Sequence, residues 1–279
     1  MSFRTYFDVP GADASRLLEQ VVAQRTRVAE RLATVGRVIV VLSGKGGVGK
    51  SYVTASLALS LARRDLAVGV VDADLHGPTV ARLLGVDVHA PLAVHEDGVT
   101  PATGRDDIRV MSTDLLLDDG RMLRWATPVG EAHTWRGPAE TSVLREFLAD
   151  VQWGALDALL VDMPPDAGRL GDLATLVPRI AGAVAVTIPS DESARSVARA
   201  LDAARAAGIP LTGIVENMSG YACPRCGSIG PLFPGGAGER LAAAHGIPLL
   251  ARIPFTTAPL DDVAVRLDPV VDLLLRDTP

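Results

Sequence analysis

The chain has 279 residues, 48% of them apolar, 22% charged and only 4% aromatic, with a formal net charge of −6. That balance excludes a disordered chain, and the scattered basic residues exclude both a nucleic-acid footprint and a polybasic membrane patch. The longest apolar runs are too short to span a bilayer and the first residues lack the apolar core of a signal peptide, so no membrane or nucleic-acid partner and a cytoplasmic location are expected.

Residues 14 to 35 read as an amphipathic helix closed by Gly36. RVIVVLS (37–43) follows as a β-branched run that suits a buried strand. Further apolar runs occur at 67–73, 108–113, 158–163, 181–189, 211–217 and 248–255. Helix-like segments at 50–63, 138–150, 191–207 and 237–245 separate most of them. Strands alternating with helices predict a doubly wound α/β fold with a mostly parallel sheet covered on both faces. The expected organisation is a helical extension over 1–36 and one domain over 37–279. Segment 86–107 reads as an excursion or hairpin. Segment 218–236 is rich in Gly and Pro and reads as a long functional loop.

Between the first strand and the next helix lies SGKGGVGKS, residues 43 to 51. It satisfies G-x-x-x-x-G-K-[ST] at Gly44, Gly49, Lys50 and Ser51, in the strand–loop–helix setting of a P-loop NTPase. Gly44, Gly46, Gly47, Val48 and Gly49 offer backbone N–H groups to phosphate oxygens, and the helix N-terminus adds partial positive charge. Lys50 is a point charge for the β and γ phosphates of ATP, and the Ser51 hydroxyl is a Mg2+ ligand. The bland alternative is a glycine-rich turn with no ligand. Lys45 and Lys50 are the only lysines; the other 25 of 27 basic residues are arginine. Asp72 and Asp74 in VVDADLHGP, and Asp162 in LLVDMPP, stand at strand ends beside this loop. One carboxylate is expected to hold Mg2+ and another to orient the attacking water, although a strand-end aspartate also commonly caps the next helix.

The only two cysteines form C-P-R-C-G, Cys223 to Gly227. Thiolates at i and i+3 can share one metal. Tetrahedral zinc or a four-iron cluster usually wants four protein ligands, and this chain supplies two, so a second chain on a two-fold axis is the simplest completion. An iron–sulfur cluster, a zinc knuckle, a thiol–disulfide pair and two unremarkable cysteines all remain open on spacing alone.

The motif KGGVGKS resembles the deviant P-loop of the MinD, ParA and nitrogenase iron-protein superfamily. That resemblance implies that Lys45 crosses a homodimer interface to the partner's nucleotide. Together with VVDADLHGPTVARLLG, TWRGP, WGALDALLVDMPP, GIVENMSGYACPRCG, FPGG and IPLLARIPF, the chain from about 37 to about 260 resembles the Mrp/ApbC iron–sulfur carrier ATPases. The resemblance implies a [4Fe–4S] cluster bridged between two subunits by Cys223 and Cys226 and passed to apo iron–sulfur client proteins. It also implies that Asp74 positions water, Asp72 supports the Mg2+ region, Asp162 is the Walker B aspartate and Asn217 reads adenine. Arg136 would be structural or interfacial. Slow hydrolysis is expected. Tyr52 stands where a small hydroxyl residue is usual, and PPDAGRLGD departs from the family's P-P-G-T-G-D. Asp166 there would repel a phosphate it faced, and either Arg169 or Asp172 takes the place of the family's aspartate. Two other classes stay open: a MinD/ParA-like positioning ATPase, and a non-hydrolysing, zinc-linked nucleotide-dependent scaffold. The acidic tail speaks against the first.

Overall fold

The computed structural model describes residues 17–116, 132–165, 168–233 and 235–276, without the side chains of 17–21 and 132–139. In chain order, helix α1 (Leu17–Leu32) leads to strand β1 (Val35–Ser43), helix α2 (Lys50–Ala62) and strand β2 (Val68–Asp72). A short α3 (Val80–Leu83) and the small strands β3 (Val94–His95), β4 (Gly98–Val99) and β5 (Ala102–Thr103) precede β6 (Arg109–Met111). Then come α4 (Ala132–Ala149), β7 (Leu156–Asp162), α5 (Arg169–Leu176), β8 (Gly182–Thr187), α6 (Asp191–Ala206) and β9 (Leu211–Ala222). The last elements are β10 (Ile229–Gly230), α7 (Ala237–His245), β11 (Leu249–Phe255), α8 (Leu260–Arg266) and α9 (Asp268–Leu275).

The main sheet runs β5-β6-β2-β7-β1-β8-β9, with β11 along β9 and β10 extending its end. Every pairing is parallel except β5 with β6 and β10 with β9. The sheet centre is aliphatic because helices cover both faces: Val38 to Leu42 of β1, Ala158 to Val161 of β7 and Ala183 to Val186 of β8 are all buried. The doubly wound, mostly parallel fold expected from the alternating pattern is therefore present. Strands β2 and β8 lie on opposite sides of the β1–β7 pair. Ligands bind at such a reversal, outside the strands' carboxyl ends. Ser43, Asp72 and Asp162 end three of these strands, and Asp162 is in register with both Val41 and Asp72.

Three local features differ from the sequence reading. Helix α1 stops at Leu32, and Gly36 lies inside β1 rather than closing the helix. A Cβ at Gly36 would sit 2.9 Å from the Asp157 carbonyl oxygen, so the glycine serves close strand approach. Segment 218–236 is only partly irregular: β9 continues to Ala222, and β10 folds back on it as a hairpin. Helices α5, α8 and α9 are additions. The last two pack on α2, where Ser60 donates to Asp268 at 2.8 Å and Arg63 meets Asp261 at 2.6 Å. The amphipathic α1 docks on α4, with Val28 fully buried and Arg145 donating to Gln24 at 2.9 Å. No helix among the described residues is long and apolar enough to cross a membrane.

Candidate functional site

The loop after β1 is shaped by its glycines. Gly47 and Gly49 take φ of 78° and 79°, a left-handed conformation that disfavours a side chain. Gly49 caps α2, and a Cβ there would lie 2.2 Å from the Asn217 amide nitrogen. At the loop's other end, a Cβ on Gly44 would lie 2.0 Å from the backbone of Ser196 in α6. Gly46 and Gly47 face open space. The loop is thus gripped at both ends and open in the middle, over a cleft of about 390 Å³ that Lys45, Ser51, Tyr52 and Asp74 also line.

Under the cleft sits a buried charge cluster. The Lys50 ammonium lies 2.6 Å from Asp162 Oδ2, with the two side chains 6% and 0% exposed. Ser51 donates to the same oxygen at 2.6 Å, and Thr54 donates to Asp162 Oδ1 at 2.5 Å. Asp72 is also fully buried. It accepts the backbone N–H groups of Asp74, Thr79 and Val80 at 3.2, 3.0 and 3.2 Å, as a residue that caps the start of α3 would. Burial pushes the Asp72 carboxyl up to about 7, with the neighbouring Asp162 adding to the rise. The N–H donors of Val80 and Thr79 and the Lys50 charge pull the other way. The oxygens of Ser51 and Asp162 form a hard donor set that fits Mg2+. Asp74 differs from its neighbours: it is half-buried, lines the cleft and has no side-chain hydrogen bond or ion pair among the described residues.

The remaining expected residues divide between cleft and scaffold. Lys45 lies 3.7 Å from Glu192, at the start of α6. Tyr52 is half-buried, and its phenol is held above its ordinary value by burial and by Asp262. Asn217 is buried and donates to the Val48 carbonyl at 2.9 Å, so it braces the loop from behind. Arg169 and Asp172 turn toward α4. There Arg169 bonds Glu140, Glu140 also takes His76 at 2.7 Å, and Thr141 donates to Asp172 at 2.9 Å. Asp166 and the Arg136 side chain lie outside the described residues.

Cys223 and Cys226 occupy the tip of the β9–β10 hairpin. Both are free thiols, Cys226 being exposed. Gly227, at φ 72°, closes the turn by donating to the Cys223 carbonyl at 2.8 Å. Cys226 Sγ lies 3.0 Å from the Ser228 hydroxyl, which, with the Ser228 backbone and Cys223, holds the Cys226 thiol below its ordinary range. No group of three or more His, Cys, Asp or Glu side chains that could hold a metal occurs among the described residues. Sequence reading missed Thr54, Glu192, Ser228 and the Glu140 network. Only Thr54 carried a signal, four residues after Lys50 on the same helix face.

A glycine loop between a central parallel strand and a helix, with strand-end carboxylates around its lysine, defines a P-loop nucleotide-binding protein. The model of the ParA family described as NUBPL iron-transfer P-loop NTPase matches residues 34–264. The chain is 41% identical over 243 residues to an iron-sulfur cluster carrier protein of Methanocaldococcus jannaschii, an alignment spanning 87% of this chain and 79% of that one. It is 40% identical over 239 residues to the cytosolic Fe-S cluster assembly factor CFD1 of Chaetomium globosum, spanning 80% and 75%. In structure it resembles a nucleotide-binding protein of Archaeoglobus fulgidus in complex with ADP, with a TM-score of 0.69 and 32% identity over 91% of this chain and 94% of that one. The chain belongs to the iron-transfer P-loop NTPases, the family of iron–sulfur cluster carriers that its motifs resemble.

Proposed function

We propose that this protein binds Mg-ATP, hydrolyses it slowly and, as a homodimer, carries a [4Fe–4S] cluster between Cys223 and Cys226 of its two subunits for delivery to apo iron–sulfur proteins. The observation that carries this reading is the pair of thiols at an exposed hairpin tip, with no third ligand beside them among the described residues. Half a ligand set at a surface asks for a second copy. A reducing, cytoplasmic setting suits free thiols.

In this reading the open glycine loop and the α2 N-terminus receive the phosphates. Lys50 already lies at the base of the loop, and phosphate oxygens compete with Asp162 for its ammonium. Ser51 and Asp162 would hold Mg2+, which when bound neutralises charge across the β and γ phosphates. Asp74, free in the cleft, orients the attacking water. As the water oxygen bonds to the γ-phosphorus, the bond from phosphorus to the β–γ bridging oxygen breaks and ADP leaves with that oxygen. The water's protons pass to the phosphate and to solvent. The partner subunit's Lys45 completes the charge balance, so one subunit alone turns over slowly. Asn217 keeps its amide oxygen and one N–H for the adenine edge, since a single N–H serves Val48.

Anaerobic reconstitution with iron and sulfide tests the carrier role. Wild type is expected to gain visible absorbance and to restore an apo iron–sulfur protein. Cys223→Ala with Cys226→Ala is expected to gain neither. Equal loading of that double variant would refute the assignment.

A further inference from the structure

Two chain segments reach the nucleotide cleft from outside the glycine loop. Residues 74–79 do so through Asp74, Gly77 and Thr79, and the stretch after β7 does so through Pro165. The sheet joins them as far as Ala73, whose N–H donates to the Asp162 carbonyl at 2.9 Å. Beyond that bond they border a cavity of about 20 Å³, lined by Ala73, Leu75, Met163 and Pro164 and by Glu140 and Arg169. That space has room for about one water, so close packing does not fasten the segments there. Charged bonds do. Glu140, on α4, sets one carboxylate oxygen 2.7 Å from His76 Nε2, and its other oxygen accepts from Arg169, the first residue of α5. The Glu140 and Arg169 side chains are only 14% and 18% exposed, where such bonds are stronger than in water. The guanidinium is held in turn: it donates to Thr141 at 3.3 Å, and Thr141 donates to Asp172 at 2.9 Å. His76 is two residues past Asp74, and Arg169 is four past Pro165.

We propose that Glu140 is a positioning residue for ATP hydrolysis: by holding His76 and Arg169 at once, it fixes the loop that carries Asp74 against the segment that carries Pro165. The proposal rests on the hydrolysis reading above and deepens it. Asp74 has no side-chain bond among the described residues, so the backbone of its loop sets its aim. Three side chains fix that backbone. Asp72 accepts from the N–H groups of Asp74, Thr79 and Val80, Thr113 donates to the Leu75 carbonyl at 3.1 Å, and Glu140 takes His76. Glu140 differs from the other two in bonding α5 as well. The phosphates are received elsewhere, at the glycine loop, Lys50 and Ser51, and Glu140 does not line that cleft. Losing Glu140 should therefore leave ATP binding in place and spoil the aim of the attacking water, a defect confined to the chemical step. A misplacement of about 1 Å can cost about a hundredfold in rate; with Asp72 and Thr113 still holding the loop, about tenfold is expected.

The test compares the full chain with Glu140→Ala, Arg169→Ala and the double variant, at equal protein concentration with Mg-ATP. Phosphate release gives kcat and KM, a binding titration gives ATP affinity, and a melt reports folding. Each single variant should lose about tenfold in kcat, with KM and ATP affinity within about twofold of wild type. The double variant should be no slower than the slower single one, because either substitution severs the same link. Arg169→Ala leaves no uncompensated cation behind, so it carries the test should Glu140→Ala fold poorly. An unchanged kcat in the single variants overturns the proposal. So does a fall in kcat matched by an equal loss of ATP affinity, because Glu140 would then be a general brace of the fold. Losses that multiply in the double variant also overturn it, since the two side chains would then act separately. Wild type that binds ATP without releasing phosphate refutes the hydrolysis reading and this inference with it; a hydrolysing wild type with indifferent variants refutes this inference alone.

Discussion

Lys50 has two roles that the motif shows as one. In the proposed reading it receives phosphate, and in the structure it is the buried counter-charge of Asp162, with Asp72 in register alongside. Removing one partner of a buried pair typically costs about 3–5 kcal/mol, because the other charge is left without compensation. Lys50→Ala should therefore abolish ATP binding and also lower the unfolding free energy by roughly that amount at pH 7. Calorimetric melts and nucleotide titrations read the two effects separately. Retained ATP affinity would contradict the assigned contact. Asp72 gives a second residue-scale expectation. Its folded value of about 7 lies above the ordinary value of 3.8, so between these limits the folded state holds the extra proton. Stability from this group is then full below about pH 4 and declines as pH rises toward 7. Asp72→Asn should flatten that decline in denaturant melts taken from pH 4.5 to 8, whatever it does to absolute stability. An unaltered slope would place the proton elsewhere.

At the scale of elements, the nucleotide loop is a strand-to-helix turn held between α6 and β9. Its glycines mark the two grips. Gly44→Ala would drive a methyl into the Ser196 backbone, where nothing flexible can yield, and should push the loop away from α6. The expected outcome is a loss of at least tenfold in ATP affinity, read by titration, with the strands' protection from hydrogen exchange retained. Wild-type affinity would mean that the grip at α6 is dispensable. The strands were legible in the sequence because buried parallel strands are plain aliphatic runs such as VIVVL and AVAV. The end of β9 was not. Ser219, Gly220 and Tyr221 look like loop residues, and only pairing with β10 and β11 makes them strand. Gly36 reads like a helix stop but is a contact with the neighbouring strand. Within the site, Gly44 to Ser51 and the strand-end aspartates were legible because local spacing encodes them. Glu192 against Lys45 and Ser228 against Cys226 were not, since no spacing rule pointed to either contact. Asn217 bracing Val48 joins residues 169 positions apart, which only the folded chain brings together.

At the scale of the whole molecule, the proposed homodimer rests on two unrelated features that each call for a second copy. Lys45 rests 3.7 Å from Glu192, whose side chain is 75% exposed. Exposed pairs of this kind contribute about 0–1 kcal/mol, so this contact would not hold the lysine back from the proposed role at a partner's nucleotide. Lys45→Ala should thus keep its melting temperature and its ATP affinity while losing ATP-dependent dimer closure by light scattering. Unchanged closure would sink the crossing role. The cysteine hairpin makes the second request, and it bears on the central claim most directly. Native mass spectrometry of the anaerobically reconstituted protein weighs cargo and assembly together. The expected species is a dimer heavier than two chains by four iron and four sulfide, absent when Cys223 and Cys226 are alanine. A loaded monomer, or a dimer carrying zinc in place of iron and sulfide, would contradict it.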